Sequence, residues 1–153
     1  MNWDIVKNEG IDPARFERIL EINQTCPFHR YLGLNLASVA PGQASVIIKV
    51  QPEHANLFEY AHGGIASALA DTAMGMAIRS VGYSVVTVEM NINYIAGAKV
   101  GQTLTATATV LNIGKNIIVA ETEVRDENNS LIAKARCTFF IRGQIWSNSD
   151  VFR

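Results

Sequence analysis

Apolar and polar positions alternate with a period of two over three stretches of the chain and run almost unbroken through a fourth. The unbroken stretch, residues 65–78, contains Ala66, Ala68, Leu69, Ala70, Ala73, Met74, Met76 and Ala77. A helix that is apolar on every face is enclosed rather than half-exposed. The pattern therefore predicts a central buried helix ending near Gly82. Residues 43–50 alternate, with Ala44, Val46, Ile48 and Val50 on one face and Gln43, Ser45 and Lys49 on the other, as in a half-buried strand. In residues 86–94, Val86, Val88, Met90, Ile92 and Tyr94 are read as the inner face, opposite Thr87, Glu89, Asn91 and Asn93. Residues 131–141 alternate again, with Leu131, Ala133, Ala135, Cys137, Phe139 and Ile141 inward.

Between these lie a Thr-rich, β-branched strand over residues 103–113 and its partner over 117–125, joined by a turn at 112–116. A second turn follows at 126–129. Upstream, Asp12-Pro13 is a helix start, with Asp as N-cap and Pro in the first turn. Phe16, Ile19, Leu20 and Asn23 share one face of the resulting helix, residues 13–23, and Cys26-Pro27 ends it. Residues 27–36 read as turn and short strand. Residues 143–153 carry no period and are expected to fray.

Strand, long apolar helix, then a meander of strands is the pattern of an α+β protein with an antiparallel sheet. One sheet of about five strands must curl around the helix. The helix face left over calls for another layer, most simply a second copy of the chain. The whole chain, 153 residues without a linker or repeat, is expected to form a single domain.

Composition narrows the function. Hydrophobic residues make up 48% and charged residues 18%, so a folded domain is expected rather than disorder. A net charge of -1 leaves no electrostatic footprint for nucleic acid or an anionic membrane. Residues 65–78 are too few to span a bilayer and carry Asp71. Residues 1–10 lack the apolar core of a secretory signal. Cys26 and Cys137 fit no metal or redox spacing. These features point to a cytoplasmic enzyme or binding protein.

The chemistry gathers at residues 56–75. Asp71 is the only charge between His62 and Arg79. A carboxylate inside an apolar helix is costly unless it is partnered or functional. A structural role would pair it with a hydroxyl such as Ser67 or Thr72. Ser67, Asp71 and Gly75 share a helical face, and their small size leaves room for water beside the carboxylate. Ahead of them, His62-Gly63-Gly64 opens the helix, where free backbone N–H groups favour negative charge. His62 is read as fixing the loop by hydrogen bonds. His54 and His62, eight residues apart, have no third ligand in pattern, so no metal is expected.

The run Asn56-x5-His62-Gly63-Gly64-x4-Leu69-Ala70-Asp71-x-Ala73, followed by Val88-x-Met90-Asn91-x-Asn93-Tyr94, resembles the hotdog-fold acyl-CoA thioesterases of the phenylacetate-degradation type. The resemblance spans roughly residues 27–142. It implies a curled antiparallel sheet around one long helix and hydrolysis of a coenzyme A thioester to free acid and CoA. No cofactor is implied beyond the coenzyme A of the substrate. By the same resemblance, Asp71 is the general base or the nucleophile, and the Gly63 N–H polarises the thioester carbonyl. Asn56 helps hold the carbonyl or the water, and Thr87 matches a family hydroxyl that places the water. Gly64 and Ser67 border the substrate. Lys99, Lys115, Lys134 and Arg136 are candidates for the CoA phosphates.

Gly63 and Asp71 stand eight residues apart on one helix, about 12 Å along its axis at 1.5 Å per residue. A homodimer with composite sites would bring the start of one helix near the middle of the other, and a dimer of dimers is the larger alternative. Two rival readings remain. One is a non-catalytic hotdog protein that binds an acyl thioester or another apolar ligand. The other is a hotdog dehydratase or hydratase, which the spacing of His62 and Asp71 disfavours. The acyl group is not specified.

Overall fold

The computed structural model describes residues 5–145. Its centre is helix α3 (Gly63–Ser80). Leu69, Ala70, Ala73, Met74, Met76, Ala77 and Ile78 are buried along it. Around it curls one seven-stranded sheet in the order β1-β2-β3-β5-β6-β7-β4. The strands are β1 (Lys7–Asn8), β2 (Asn35–Ala40), β3 (Gln43–Lys49), β4 (Tyr83–Tyr94), β5 (Thr103–Ile113), β6 (Ile117–Asp126) and β7 (Leu131–Gln144). All neighbours are antiparallel except β1 and β2. The expected α+β architecture is present with more strands than the five expected. The extra ones are the two-residue β1 and a β2 that extends to Ala40.

Helix α1 (Pro13–Thr25) begins as its sequence dictates, with the Asp12 side chain accepting from the Arg15 N–H at 3.2 Å. It buries Ile19 and Asn23 and packs on α3. Residues 27–32 depart from the expectation of turn and strand: Pro27–Leu32 is a second helix, α2. Cys26 is extended, as a residue before proline prefers, which breaks the first helix. The same proline, with φ already fixed, suits the first turn of the next. Gly33, at φ 72°, closes α2 in a left-handed cap.

Strand β4 corrects a second expectation. Val86 and Val88 do not face the core; they are 45% and 62% exposed. Thr87 pairs with Phe139 and Glu89 with Thr138, so Val88 is an extra residue with no partner across the ladder. This β-bulge reverses the alternation. Val85 and Thr87 point inward before it, and Met90, Ile92 and Tyr94 after it, each opposite an inward residue of β7. The chain's end is more regular than expected as far as it is described: β7 runs to Gln144, and the Ile145 N–H donates to Gly82 O. The expectation for residues 146–153 lies outside the described residues.

Enclosure of α3 is also incomplete. Gly64 is exposed, and Gly63, Ser67, Ala68 and Asp71 are only half-buried. Beside this opening, β4 forms the free edge of the sheet. Among the described residues no helix is long and apolar enough to cross a membrane.

Candidate active site

The site is built on α3 and the two segments that meet it, the loop over residues 55–62 and strand β4. The loop is closed by a bridge between Ala55 and Ala61. Inside it, Asn56 Oδ1 accepts from the N–H groups of Phe58 (2.9 Å) and Tyr60 (3.3 Å). That turn carries Glu59 at φ 62°, a left-handed conformation uncommon for a side chain of this kind. The amide oxygen of Asn56 therefore holds the loop, and its Nδ2 donors are the part that can reach a ligand.

His62 is the N-cap of α3. Its Nδ1 accepts from the Gly64 N–H at 2.9 Å, as the sequence reading of a loop-fixing histidine requires. His54 is buried, and its Nδ1 accepts from the Gln51 N–H. Two glycines make this helix start possible. A Cβ on Gly64 would stand 3.1 Å from His62 Nδ1, and one on Gly63 would stand 3.2 Å from the ring of Tyr94. Tyr94, from the end of β4, thus lies over the first residue of the helix. It stood in the sequence motif but was not read as a site residue. Its inward face was legible from the alternation, but nothing in its spacing distinguishes it from an ordinary strand tyrosine.

Two turns further along α3, the Thr87 hydroxyl donates to Asp71 Oδ1 at 2.7 Å. Ser67 and Thr72, the hydroxyls a purely structural role for Asp71 would use, are not its partners. Ser67 Oγ instead donates to Gly64 O, and Thr72 is buried on the other side of the helix. Thr87 reaches Asp71 because the bulge aims it inward. Asp71 is half-buried rather than enclosed, with Oδ2 free of protein partners among the described residues.

Cys137, directly beneath, closes the bulge by donating its thiol to Glu89 O at 2.9 Å. Burial, then the negative charges of Asp71 and Glu89, push that thiol's pKa up to about 12, so it is a protonated donor and not a thiolate nucleophile at neutral pH. Among the described residues no three His, Cys, Asp or Glu side chains converge as ligands for a metal.

The remaining candidates are dispersed. Lys99 borders an open hollow with Pro52, Ala55, Phe58, Glu59, Tyr60 and Val100. Lys134 is tied to Glu123 at 3.3 Å on the outer face of the sheet, with Arg136 on the same face. The structure thus forms two clusters in one chain, Asp71 with Thr87 mid-helix, and Asn56, His62, Gly63 and Gly64 with Tyr94 at its start. It does not bring the two together.

A sheet curled round one helix, with a hydroxyl-bound carboxylate and a glycine-opened helix start, defines a hotdog-fold protein with the parts of a hydrolase. The comparisons agree. The model of the thioesterase superfamily matches residues 58–133. Human acyl-coenzyme A thioesterase 13 is 36% identical over 115 residues, covering 72% of this chain and 82% of that protein. The acyl-coenzyme A thioesterase PaaI of Escherichia coli is 32% identical over 114 residues, covering 74% of this chain and 80% of that protein. The solved structure of E. coli PaaI superposes with a TM-score of 0.83 at 27% identity, covering 88% of this chain and 98% of its own. A Streptococcus mutans protein bound to acetyl CoA superposes with a TM-score of 0.70 at 29% identity, covering 72% and 90%. The chain belongs to the thioesterase superfamily, and it is a thioester hydrolase of the PaaI type.

Proposed function

We propose that the chain hydrolyses acyl-CoA thioesters at sites shared between two copies of itself, with Asp71 activating water or attacking directly. The observation that carries the reading is the 2.7 Å bond from Thr87 to Asp71 Oδ1. It fixes the carboxylate's orientation and leaves the second oxygen to take a proton from water. As the water oxygen bonds to the thioester carbon, negative charge builds on the carbonyl oxygen. The Gly63 N–H at the helix start, assisted by Asn56 Nδ2, stabilises that charge. Collapse of the tetrahedral intermediate expels the coenzyme A thiolate, so the reaction requires no metal or redox cofactor. His62 holds the helix start in place; Gly64 and Ser67 border the substrate.

The acyl-coenzyme A thioesterases among its relatives, and the acetyl CoA bound to the S. mutans protein, support a CoA ester as substrate. Sharing between copies is supported by what one chain leaves open. Strand β4 is a twelve-residue edge strand, a form usually paired or protected. Leu57 is 99% exposed and Phe58 79% on the loop beside the helix start. A twofold axis near β4 would cover these residues and bring one chain's Gly63 toward the other's Asp71.

The test is a free-thiol assay on a panel of acyl-CoAs. Asp71→Asn is expected to lower kcat at least ~10²-fold with the fold retained, and Thr87→Val to lower it less. Near wild-type turnover by Asp71→Asn would end the proposal.

A further inference from the structure

Asp71, Gly75 and Arg79 recur at four-residue intervals and so share one face of α3. Arg79 Nη1 donates to Gly75 O at 3.2 Å. The guanidinium folds back along the helix toward Asp71, over the space a side chain at Gly75 would take; a Cβ there would stand 3.3 Å from Nη1. Gly75 is four residues from Asp71, about 6 Å along the axis. None of the ion pairs among the described residues involves Arg79. Of its five N–H donors, one has a protein acceptor among the described residues.

The helical hairpin of α1 and α2 adds unpaired polar atoms to the same region. Asn23, on the inner face of α1, is buried with Oδ1 unpartnered, and His29 of α2 has Nδ1 buried and unpartnered. The His29 side chain lies beside the Asn23 main chain, and both Arg79 and Asp71 lie within its electrostatic reach. Burial, followed by the charge of Arg79, holds the His29 pKa below its ordinary value, and burial does the same to Arg79. An anion placed here would offset both effects. Asp71 and Cys26 act on Arg79 electrostatically, but neither forms an ion pair with it. A half-buried guanidinium without a direct ionic partner is costly, and a bound carboxylate is the partner its planar fork fits best.

We infer that Arg79, flanked by His29 and Asn23, binds a carboxylate at the far end of the acyl chain, so that the preferred substrates are ω-carboxyacyl thioesters. The inference rests on the thioesterase reading above, with the thioester carbonyl at Asp71 and the acyl chain lying along the α3 face toward Arg79. The guanidinium provides the charge. The Asn23 amide, whose side chain is bound to nothing else, can turn its Nδ2 donors to the ligand.

The experiment compares kcat/KM for adipyl-CoA, hexanoyl-CoA and 6-hydroxyhexanoyl-CoA, with the five- and seven-carbon pairs as length controls. The wild type is expected to prefer adipyl-CoA over hexanoyl-CoA by at least ~10-fold, as a charge-assisted contact implies. Arg79→Met should collapse that ratio, and Arg79→Lys should keep part of it. A ratio taken within one preparation does not depend on the fraction folded, and if Arg79→Met fails to fold, the wild-type preference and Arg79→Lys decide. Faster turnover of the hexanoyl or hydroxyhexanoyl ester by the wild type, or an unchanged ratio in Arg79→Met, overturns the inference alone. No hydrolysis of any CoA ester above the Asp71→Asn background overturns the thioesterase reading and this inference with it.

Discussion

Cys137 shows how much of the site depends on a side chain that takes no part in the chemistry. Its thiol satisfies the carbonyl of Glu89 where β4 bulges, and the bulge aims Thr87 at Asp71. The thiol is the form the fold favours: burial raises its folded pKa from the ordinary 9.0 to about 12. The unfolded chain releases that proton near 9, so the stabilisation is fully present below pH 9 and is lost as pH rises toward 12. Cys137→Ala is expected to cost ~1–3 kcal/mol at pH 7, from the cavity and the carbonyl left unpaired. In denaturant titrations, the gap between wild type and variant should shrink between pH 9 and pH 12. A gap that is constant or widens over that range would contradict this account. At this scale the sequence was partly legible. The isolation of Asp71 in an apolar run made it a candidate, and the family resemblance made Thr87 another; the bond between them was not foreseen, because β4 read without its bulge turns Thr87 away from the helix.

At the scale of elements, period and composition located α3 and every strand from β3 to β7, since burial on one face or on all faces leaves a mark in the sequence. They failed where a local device alters the count. The bulge at Val88 is built without glycine or proline, so strict alternation put Val86 and Val88 inward and Thr87 outward, the reverse of what is found. Proline at position 27 was read as a stop when it also serves as a start. The helix opening was read well: glycines before a long apolar helix, and a histidine that fixes the loop. That histidine yields a prediction. His62→Ala removes the acceptor for the Gly64 N–H and should destabilise the protein by ~1 kcal/mol, while His62→Asn, a good N-cap, should recover most of it. Equal stability of all three proteins in denaturant would mean that the cap contributes nothing.

For the whole molecule, the central question is what completes the site. The apolar character of α3 on all faces called for a second layer, and one chain leaves Gly64, Ser67, Ala68 and Asp71 open beside the free edge of β4. The carboxylate with its threonine, and the glycine-opened helix start, are separated on one helix by about 12 Å. On the proposed reading, a single chain therefore holds two half-sites. The measurement that tests this most directly is subunit complementation. Asp71→Asn and Asn56→Ala, each impaired alone, are co-expressed or refolded together. Random pairing makes about half the dimers mixed, and each mixed dimer has one intact site and one doubly altered site. Activity should then recover to about a quarter of wild type, in proportion to the mixed dimers present. Mixed dimers that are present and folded but show no activity above the single variants would contradict a site shared between chains.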